Sequence, residues 1–291
     1  MLRLGLPLVA FIVSPMLGHG QVQIQIQGHR GCRGLFPENT IPAFLHALNL
    51  GVDVLELDVV VTGDGYVLVS HEPWMNPEIC TGPEGQSLVG QPKVNIYQLR
   101  LSEVRQYDCG SLGHRRFPNQ QPVKAFKPTL EEVFQAVRDW RTTHSERQVL
   151  FNIEIKCSPE WEHSFCPPVQ VFCDRVLQQI QSSDMRASCM LQSFNTAVLE
   201  YLHQAAPDIP LAFLVERGRL RYQLKKLSFQ PAIYSPKFSV LTSRQVREAH
   251  RSGIQVIPWT VNEPEDIRKV LNMGVDGIIT DYPDRVLSLK N

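Results

Sequence analysis

The sequence predicts an α/β fold, a closed TIM (β/α)8 barrel with a small insertion after the hairpin that follows the second strand. Three observations carry this. Short apolar or alternating runs begin near residues 23, 54, 149, 188, 211, 232, 254 and 277. Each is followed by a helical or helix-like pattern, and alternating βα units imply a parallel sheet that eight repeats can close. The length of 291 residues suits one barrel of roughly 250 residues once a leader is set aside. An open doubly wound sheet is the alternative, but no GxGxxG or Walker A loop supports it.

The elements read in order as follows. Gln23 to Gln27 alternates polar and apolar and stops at Gly28. Thr40 opens a helix with Pro42 in its first turn, running through Ala43, Phe44, Ala47 and Leu48 to a stop at Gly51. Val54 to Val61 is a strand, Asp64-Gly65 a hairpin turn, and Tyr66 to Ser70 the return. Thr129 with Glu132 three residues on forms a capping box for the next helix. The series continues with strand 149–155, helix 169–180, strand 188–191, helix 196–205, and short strands 211–215 and 232–234. Helix 243–252 ends at Gly253, and strand 254–259, helix 264–273 and strand 277–280 follow. Residues 72–127 break the rhythm: 56 residues hold six Pro and five Gly with no long periodic pattern. A stretch of this kind inside a compact domain reads as a functional loop or subdomain. We place it above the barrel, with Trp74, Tyr97, Tyr107 and Phe117 free to pack or to line a mouth.

Composition excludes several classes. Lys+Arg 29 against Asp+Glu 29, with 43% hydrophobic and 20% charged residues, is globular rather than disordered. The zero balance leaves no basic footprint for nucleic acid. Residues 1–20 look like a secretory signal peptide: Arg3, an apolar run from Leu4 to Leu17, then Gly18-His19-Gly20 before a cut at Gln21. That run is too short to span a bilayer, and no later run is long and apolar enough. Export, periplasmic or secreted, without a stable membrane span is the expectation. Seven cysteines (32, 80, 109, 157, 166, 173 and 189) contain no CxxC, which argues against a redox dithiol or zinc knuckle. In an oxidising compartment Cys80–Cys109 and Cys157–Cys166 are possible pairs. Cys189 and Cys173 read as small buried hydrophobes.

In a barrel enzyme, chemistry sits where strands end and βα loops begin. Those positions hold Gly28-His29-Arg30-Gly31, Glu56-Leu57-Asp58, Ser70-His71-Glu72, Glu154-Ile155-Lys156, Gln192, Trp259-Thr260-Val261-Asn262 and Thr280-Asp281. Glu56 and Asp58 share one strand face, as do Glu154 and Lys156. Three carboxylates buried together need a cation, and hard oxygen donors select Ca²⁺ or Mg²⁺. His29 and His71 are the natural acid–base pair. Arg30 and Lys156 beside a metal argue for an anionic substrate, best a phosphate. Gln192 and Trp259 are candidate substrate contacts. Asn39 and Thr40 are read as holding the first loop and capping its helix, and Asp281 as a helix entry.

The blocks Gly28-His29-Arg30-Gly31, Pro37-Glu38-Asn39-Thr40, Gly51 to Val59, Thr62-Gly63-Asp64-Gly65 and His71 together resemble the glycerophosphodiester phosphodiesterase family. Later segments agree: Asn152 to Lys156, Gln192-Ser193-Phe194, Pro258 to Asn262, and Gly274 to Pro283. The resemblance implies a TIM barrel with a small insertion after His71. It implies Glu56, Asp58 and Glu154 as ligands of one divalent cation, His29 and His71 as acid and base, and Arg30 and Lys156 on the phosphate. Glu72 stands where many relatives have Asp, and Cys32 and Arg33 replace small residues, which is expected to narrow the entrance. Three functions compete: a hydrolase of small glycerophosphodiesters, a phospholipase-D-like or phosphatidylinositol-cleaving lipid enzyme, and a non-enzymatic binder. A binder would be expected to lack a histidine or carboxylate, and all are present. The mixed, Pro/Gly-rich insertion favours a soluble small-molecule phosphodiester over a lipid.

Overall fold

A computed structural model describes residues 24–290, with Lys290 described in its backbone only. The predicted leader lies outside the described residues. Strand β1 (Gln25–Gly28) enters the barrel wall, and helix α1 (Ile41–Leu50) returns over it. Thr40 accepts from the Ala43 N–H, and Gly51 closes the helix at φ +108, a left-handed turn where glycine carries no Cβ cost. Strand β2 (Val54–Val61) pairs with β1 in parallel and with its hairpin return β3 (Val67–Val69) in antiparallel.

After the insertion come α3 (Leu130–Arg141), β4 (Leu150–Ile155), α4 (Val169–Ser182), β5 (Cys189–Ser193) and α5 (Thr196–Ala205). Then β6 (Leu211–Val215), α6 (Leu220–Leu224), β7 (Ile233–Pro236), α7 (Ser243–Arg251), β8 (Gln255–Val256), α8 (Pro264–Asn272), β9 (Gly277–Thr280) and α9 (Pro283–Lys290) complete the chain. The insertion itself supplies α2 (Leu101–Val104). The predicted capping box at Thr129 and Glu132 is formed.

The sheet runs β8-β7-β6-β5-β4-β2-β1-β9, with β3 outside the path. Single backbone bonds close the gap between its ends: Asp276 N–H to Val256 O, Ile279 N–H to Pro258 O and Val261 N–H to Ile279 O. The eighth strand is shorter than the expected 254–259. Pro258 has no N–H to give, yet Ile257 and Trp259 still donate to Tyr234 and Pro236.

Period-2 alternation sorts the side chains. Ile26, Leu55, Leu57, Phe151, Ile153, Leu191, Phe213 and Tyr234 face outward into the main core under the helices. Phe134 of α3 meets Phe151 edge-on, with ring centroids 4.9 Å apart. Their neighbours along each strand face the barrel axis. On β5 to β9 these are Met190, Ala212, Ile233, Ile257 and Ile279, a separate apolar cluster under Trp259.

Residues 72–127 build a core of their own. Met75, Ile79, Leu88, Ile96 and Val104 pack with the Cys80–Cys109 disulfide against Val60 and Leu68 of the hairpin. Tyr107 packs on this small core, whereas Tyr97 packs on the main one. The far end of the segment clips the first βα loop, because Gln120 Nε2 donates to Arg33 O and the Gln121 N–H to Leu35 O.

Candidate active site

A cavity of about 850 Å³ opens where the strands end, lined by His29, Arg30, Glu56, His71, Glu154, Lys156, Gln192 and Trp259. Every predicted site residue but Asp58 lines it. Asp58 lies just beneath, 1% exposed, beside Glu56 and Glu154. The β2–β4 register sets Asp58 directly against Glu154. One oxygen from each of Glu56, Asp58 and Glu154 lies within 4.8 Å of the others.

The electrostatics of this trio are strongly opposed. Burial, then the Asp58 charge, hold the Glu56 carboxyl well above its ordinary range. Burial also raises Glu154, although Lys156 pulls the other way. Asp58 is held far down despite burial, chiefly by Arg30. Protein cations therefore compensate only part of the negative charge.

The first loop is shaped for this place. Arg30 adopts φ +51 and Asn39 φ +57, conformations that cost about 1–3 kcal/mol each. They persist because their groups are bound: the Arg30 N–H donates to Glu56 Oε2 at 2.9 Å, and the Asn39 N–H to Arg30 O. Gly31, at φ +87, would drive a Cβ to 2.8 Å from Ala43 C, so only glycine fits.

The cations are already engaged. Arg30 Nη1 donates to Glu38 Oε1 at 2.6 Å, with its Nε 3.2 Å from Asp58 Oδ2. Lys156 Nζ donates to Glu154 Oε1 at 2.8 Å and lies 3.9 Å from Asp58 Oδ1. Gln192 Nε2 donates to Glu56 Oε1 at 2.8 Å, and its own oxygen accepts from Asn152. Trp259 Nε1 donates to Ser235 O, and its ring meets Phe194 edge-on at 5.4 Å.

Each histidine has a carboxylate on Nδ1. For His29 it is Asp281 Oδ1 at 2.6 Å, and for His71 it is Glu72 Oε1 at 2.8 Å. An Nδ1–H···carboxylate bond leaves Nε2 as the free nitrogen. Burial pushes the His29 imidazole down to about 4, against the pull of Asp281. Burial would raise Asp281, but His29 and Arg33 hold it well below the ordinary carboxylate range. Glu72 is lowered to about 2, burial being outweighed mainly by its bond with His71.

Several assignments change. Asp281 does more than enter a helix: it binds His29, takes two bonds from Arg33, and accepts from Asn262 Nδ2. Asn39 holds Asp58 as well as the loop, since Asn39 Nδ2 donates to Asp58 Oδ2 at 2.9 Å. Thr40 is the expected cap. Arg33 lines the cavity, but Cys32 does not narrow it: its thiol is buried and donates to Ala43 O. Among the insertion aromatics Phe117 lines the cavity, while Trp74 packs on Trp161 and Phe165. The Asp281 and Asn39 roles join residues far apart in sequence. For Asp281 the signal available was a carboxylate just past an otherwise apolar strand; Asn39 stood only in the loop before the first helix.

The pattern of the "Glycerophosphoryl diester phosphodiesterase family" matches residues 29–285. A glycerophosphodiester phosphodiesterase of Bacillus altitudinis is 30% identical over 268 residues, 91% of this chain and 98% of that protein. The crystal structure of a "Putative glycerophosphoryl diester phosphodiesterase" from Silicibacter pomeroyi DSS-3 superposes with a TM-score of 0.83 at 31% identity over 94% of each chain. An Oleispira antarctica phosphodiesterase in complex with the product sn-glycerol-3-phosphate shares the fold, with a TM-score of 0.72 at 22% identity over 92% of this chain and 97% of that one. The match spans His29 through Asp281 and every strand from β2 to β9, and the chain belongs to the glycerophosphoryl diester phosphodiesterase family.

Proposed function

We propose that this enzyme hydrolyses glycerophosphodiesters to an alcohol and sn-glycerol 3-phosphate, using one divalent cation and the histidine pair His29 and His71. The convergence of Glu56, Asp58 and Glu154 at a cavity that both histidines line is the observation that carries it. The product held by the Oleispira antarctica relative supports the substrate class.

The residues fit a hard cation: three carboxylates converge, and the buried Glu56 is left with too little positive charge around it. Glu56, Asp58 and Glu154 would hold Ca²⁺ or Mg²⁺. Once bound, such an ion supplies neutralising charge for phosphoryl oxygens and acidity for a neighbouring hydroxyl. Arg30 and Lys156, which line the same cavity, would orient the phosphate, with Gln192 holding Glu56 and Trp259 offering an apolar wall to the substrate.

A glycerophosphodiester carries a hydroxyl next to its phosphoryl oxygen, and internal attack is the well-oriented case. In this route His29 Nε2 takes the proton of that hydroxyl as its oxygen attacks phosphorus. His71 gives its proton to the leaving alcohol. Water then opens the cyclic phosphate, with His71 accepting its proton and His29 returning one to the glycerol oxygen. Asp281 and Glu72 hold both rings in place throughout. Replacing either histidine by Ala is expected to cost about 10²- to 10⁴-fold.

The test is turnover of a panel of glycerophosphodiesters and lysolipids after chelation and metal add-back. Glu56→Gln should lose activity and metal affinity together; wild-type metal affinity in an inactive variant would remove Glu56 from the ligand set. A substrate lacking the neighbouring hydroxyl should not turn over. Its undiminished hydrolysis would replace the cyclic route by direct attack of water.

A second reading, a lysolipid-cleaving activity, is favoured by the wall of Phe194, Leu214, Phe238 and Trp259 across the cavity. Faster turnover of lysolipids than of soluble diesters in the panel would select it. Export is part of the proposal, and a Cys80–Cys109 disulfide supports an oxidising destination. Extraction from the exported fraction with Gln21 as the first residue is the check.

A further inference from the structure

The loop from β4 to α4 carries two thiols that the chemistry above does not use. Cys157 Sγ and Cys166 Sγ lie 3.3 Å apart, and both residues are buried. A disulfide needs about 2.05 Å, so closure asks for only a small further approach. The backbone has already brought the two ends together. Trp161 O accepts from the N–H groups of Ser164, Phe165 and Cys166, and the His163 N–H donates to Cys166 O. Asn195 Nδ2 anchors Cys157 through its carbonyl at 2.9 Å.

The same loop is the seat of the insertion. Trp74 meets Trp161 and Phe165 edge-on at 5.8 and 5.7 Å, and Asn95 Nδ2 donates to Ser164 O at 2.8 Å. The insertion side of this contact is already stapled by Cys80–Cys109. Lys156, a cavity residue, is the immediate neighbour of Cys157.

We propose that Cys157 and Cys166 form a second disulfide, closed by exchange with a small-molecule disulfide, and that this bridge fixes the loop on which the insertion rests. On a local opening of the loop that admits the donor, the Cys157 thiolate attacks one of its sulfurs, making a mixed disulfide and expelling one donor thiolate. The Cys166 thiolate then attacks Cys157 Sγ, forming the protein disulfide and expelling the second. The two thiol protons end on the two released thiols, and the donor is reduced by the two electrons the protein loses. The hydrogen bond from Cys166 draws the Cys157 thiol below its ordinary range, which suits it to attack first. Burial holds Cys32, Cys173 and Cys189 above theirs, and the bond with Cys157 raises Cys166 too, so it is the 3.3 Å approach of Cys157 and Cys166 that selects the pair. The proposal stands apart from the phosphodiesterase reading.

The experiment equilibrates the folded full chain with oxidised glutathione, alkylates free thiols under denaturing conditions and maps the peptides. The five free thiols, at 32, 157, 166, 173 and 189, should fall by two, with a peptide pair linking 157 to 166. Amide exchange across residues 157–166 should slow at the same time. Five alkylated thiols, or a link from Cys157 to Cys173, would overturn the assignment. A Cys166→Ser chain should lose the slowing; if its loop is protected as strongly as the oxidised wild type, the bridge is not what fixes the loop.

Discussion

The barrel interior changes character half-way round. From β1 through β2 and β4 to the end of β5 it presents Gln27, Glu56, Asp58, Asn152, Glu154 and Gln192, and Asp281 completes this side beyond β9. From the start of β5 to β9 it presents Met190, Ala212, Ile233, Ile257 and Ile279. The pleat and parallel pairing are the same in both halves, but what holds them differs. The apolar half is stabilised by area removed from water, at about 25 cal/mol per Å². The polar half carries ions whose desolvation costs several kcal/mol each unless paired. There the sequence supplies a partner for nearly every group: Asn39 and Arg30 for Asp58, Gln192 for Glu56, Lys156 for Glu154, Asp281 for His29. One half is therefore a scaffold, and the other is a prearranged set of charges that the scaffold makes affordable.

The sharpest way to break this contrast is Asp281→Asn. It strips His29 and Arg33 of their shared carboxylate while keeping the shape. Removing one member of a buried pair costs about 3–5 kcal/mol, and His29 loses the partner that fixes its ring. The pH dependence carries a sign. The folded Asp281 carboxyl is held below its ordinary value, so its stabilisation is present above the unfolded pKa of about 3.9 and is lost as pH falls through the folded one. Wild-type urea midpoints should therefore drop below about pH 4 more steeply than those of the variant. Parallel acid limbs would show that Asp281 does not carry this stability.

A smaller effect is expected where the halves meet. On β5, Met190 belongs to the apolar cluster and Gln192 to the polar set. Gln192→Leu extends the apolar half by one residue and frees Glu56 Oε1. In the proposed cation site Glu56 is a ligand, and losing an outer partner of a ligand typically costs 10- to 100-fold in affinity, about 1.4–2.8 kcal/mol. Titration calorimetry of Ca²⁺ and Mg²⁺ into wild type and variant reads this directly. Unchanged affinity would confine Gln192 to packing or substrate contact.

The same division explains what could be read from the sequence. Glu56 and Asp58 alone would read as a salt bridge at a strand end; they stand out because Glu154 and Lys156 repeat charge at i and i+2 on the neighbouring main strand. The barrel was legible for the matching reason: the outward face of each strand keeps its apolar period even where the inward face is charged. Asp281 and Asn39 were legible only as a helix entry and a loop residue. Their partners, His29 at a separation of 252 and Asp58 at 19, are set by strand order around the barrel. Cysteine pairing was likewise open, because Cys80 and Cys109 meet through the fold of a segment with no periodic pattern.

The smallest effect tests the scaffold half alone. Ile257 is 2% exposed and packs with Met190, Ala212, Ile233 and Ile279 beneath Trp259. Ile257→Val removes one methylene from this cluster and no hydrogen bond, which costs about 0.5–1.5 kcal/mol. Trp259 should keep its place, because the indole is held by its bond to Ser235 O and its backbone N–H by Pro236 O. The urea midpoint should fall with an unchanged slope, the mark of a stability change without a change in the surface exposed on unfolding. At the same time kcat/KM on a glycerophosphodiester should equal that of wild type. The opposite pattern, full stability with a lower kcat/KM, would mean that the floor under Trp259 sets the geometry of the reacting groups, and the apolar half would then be part of the chemistry.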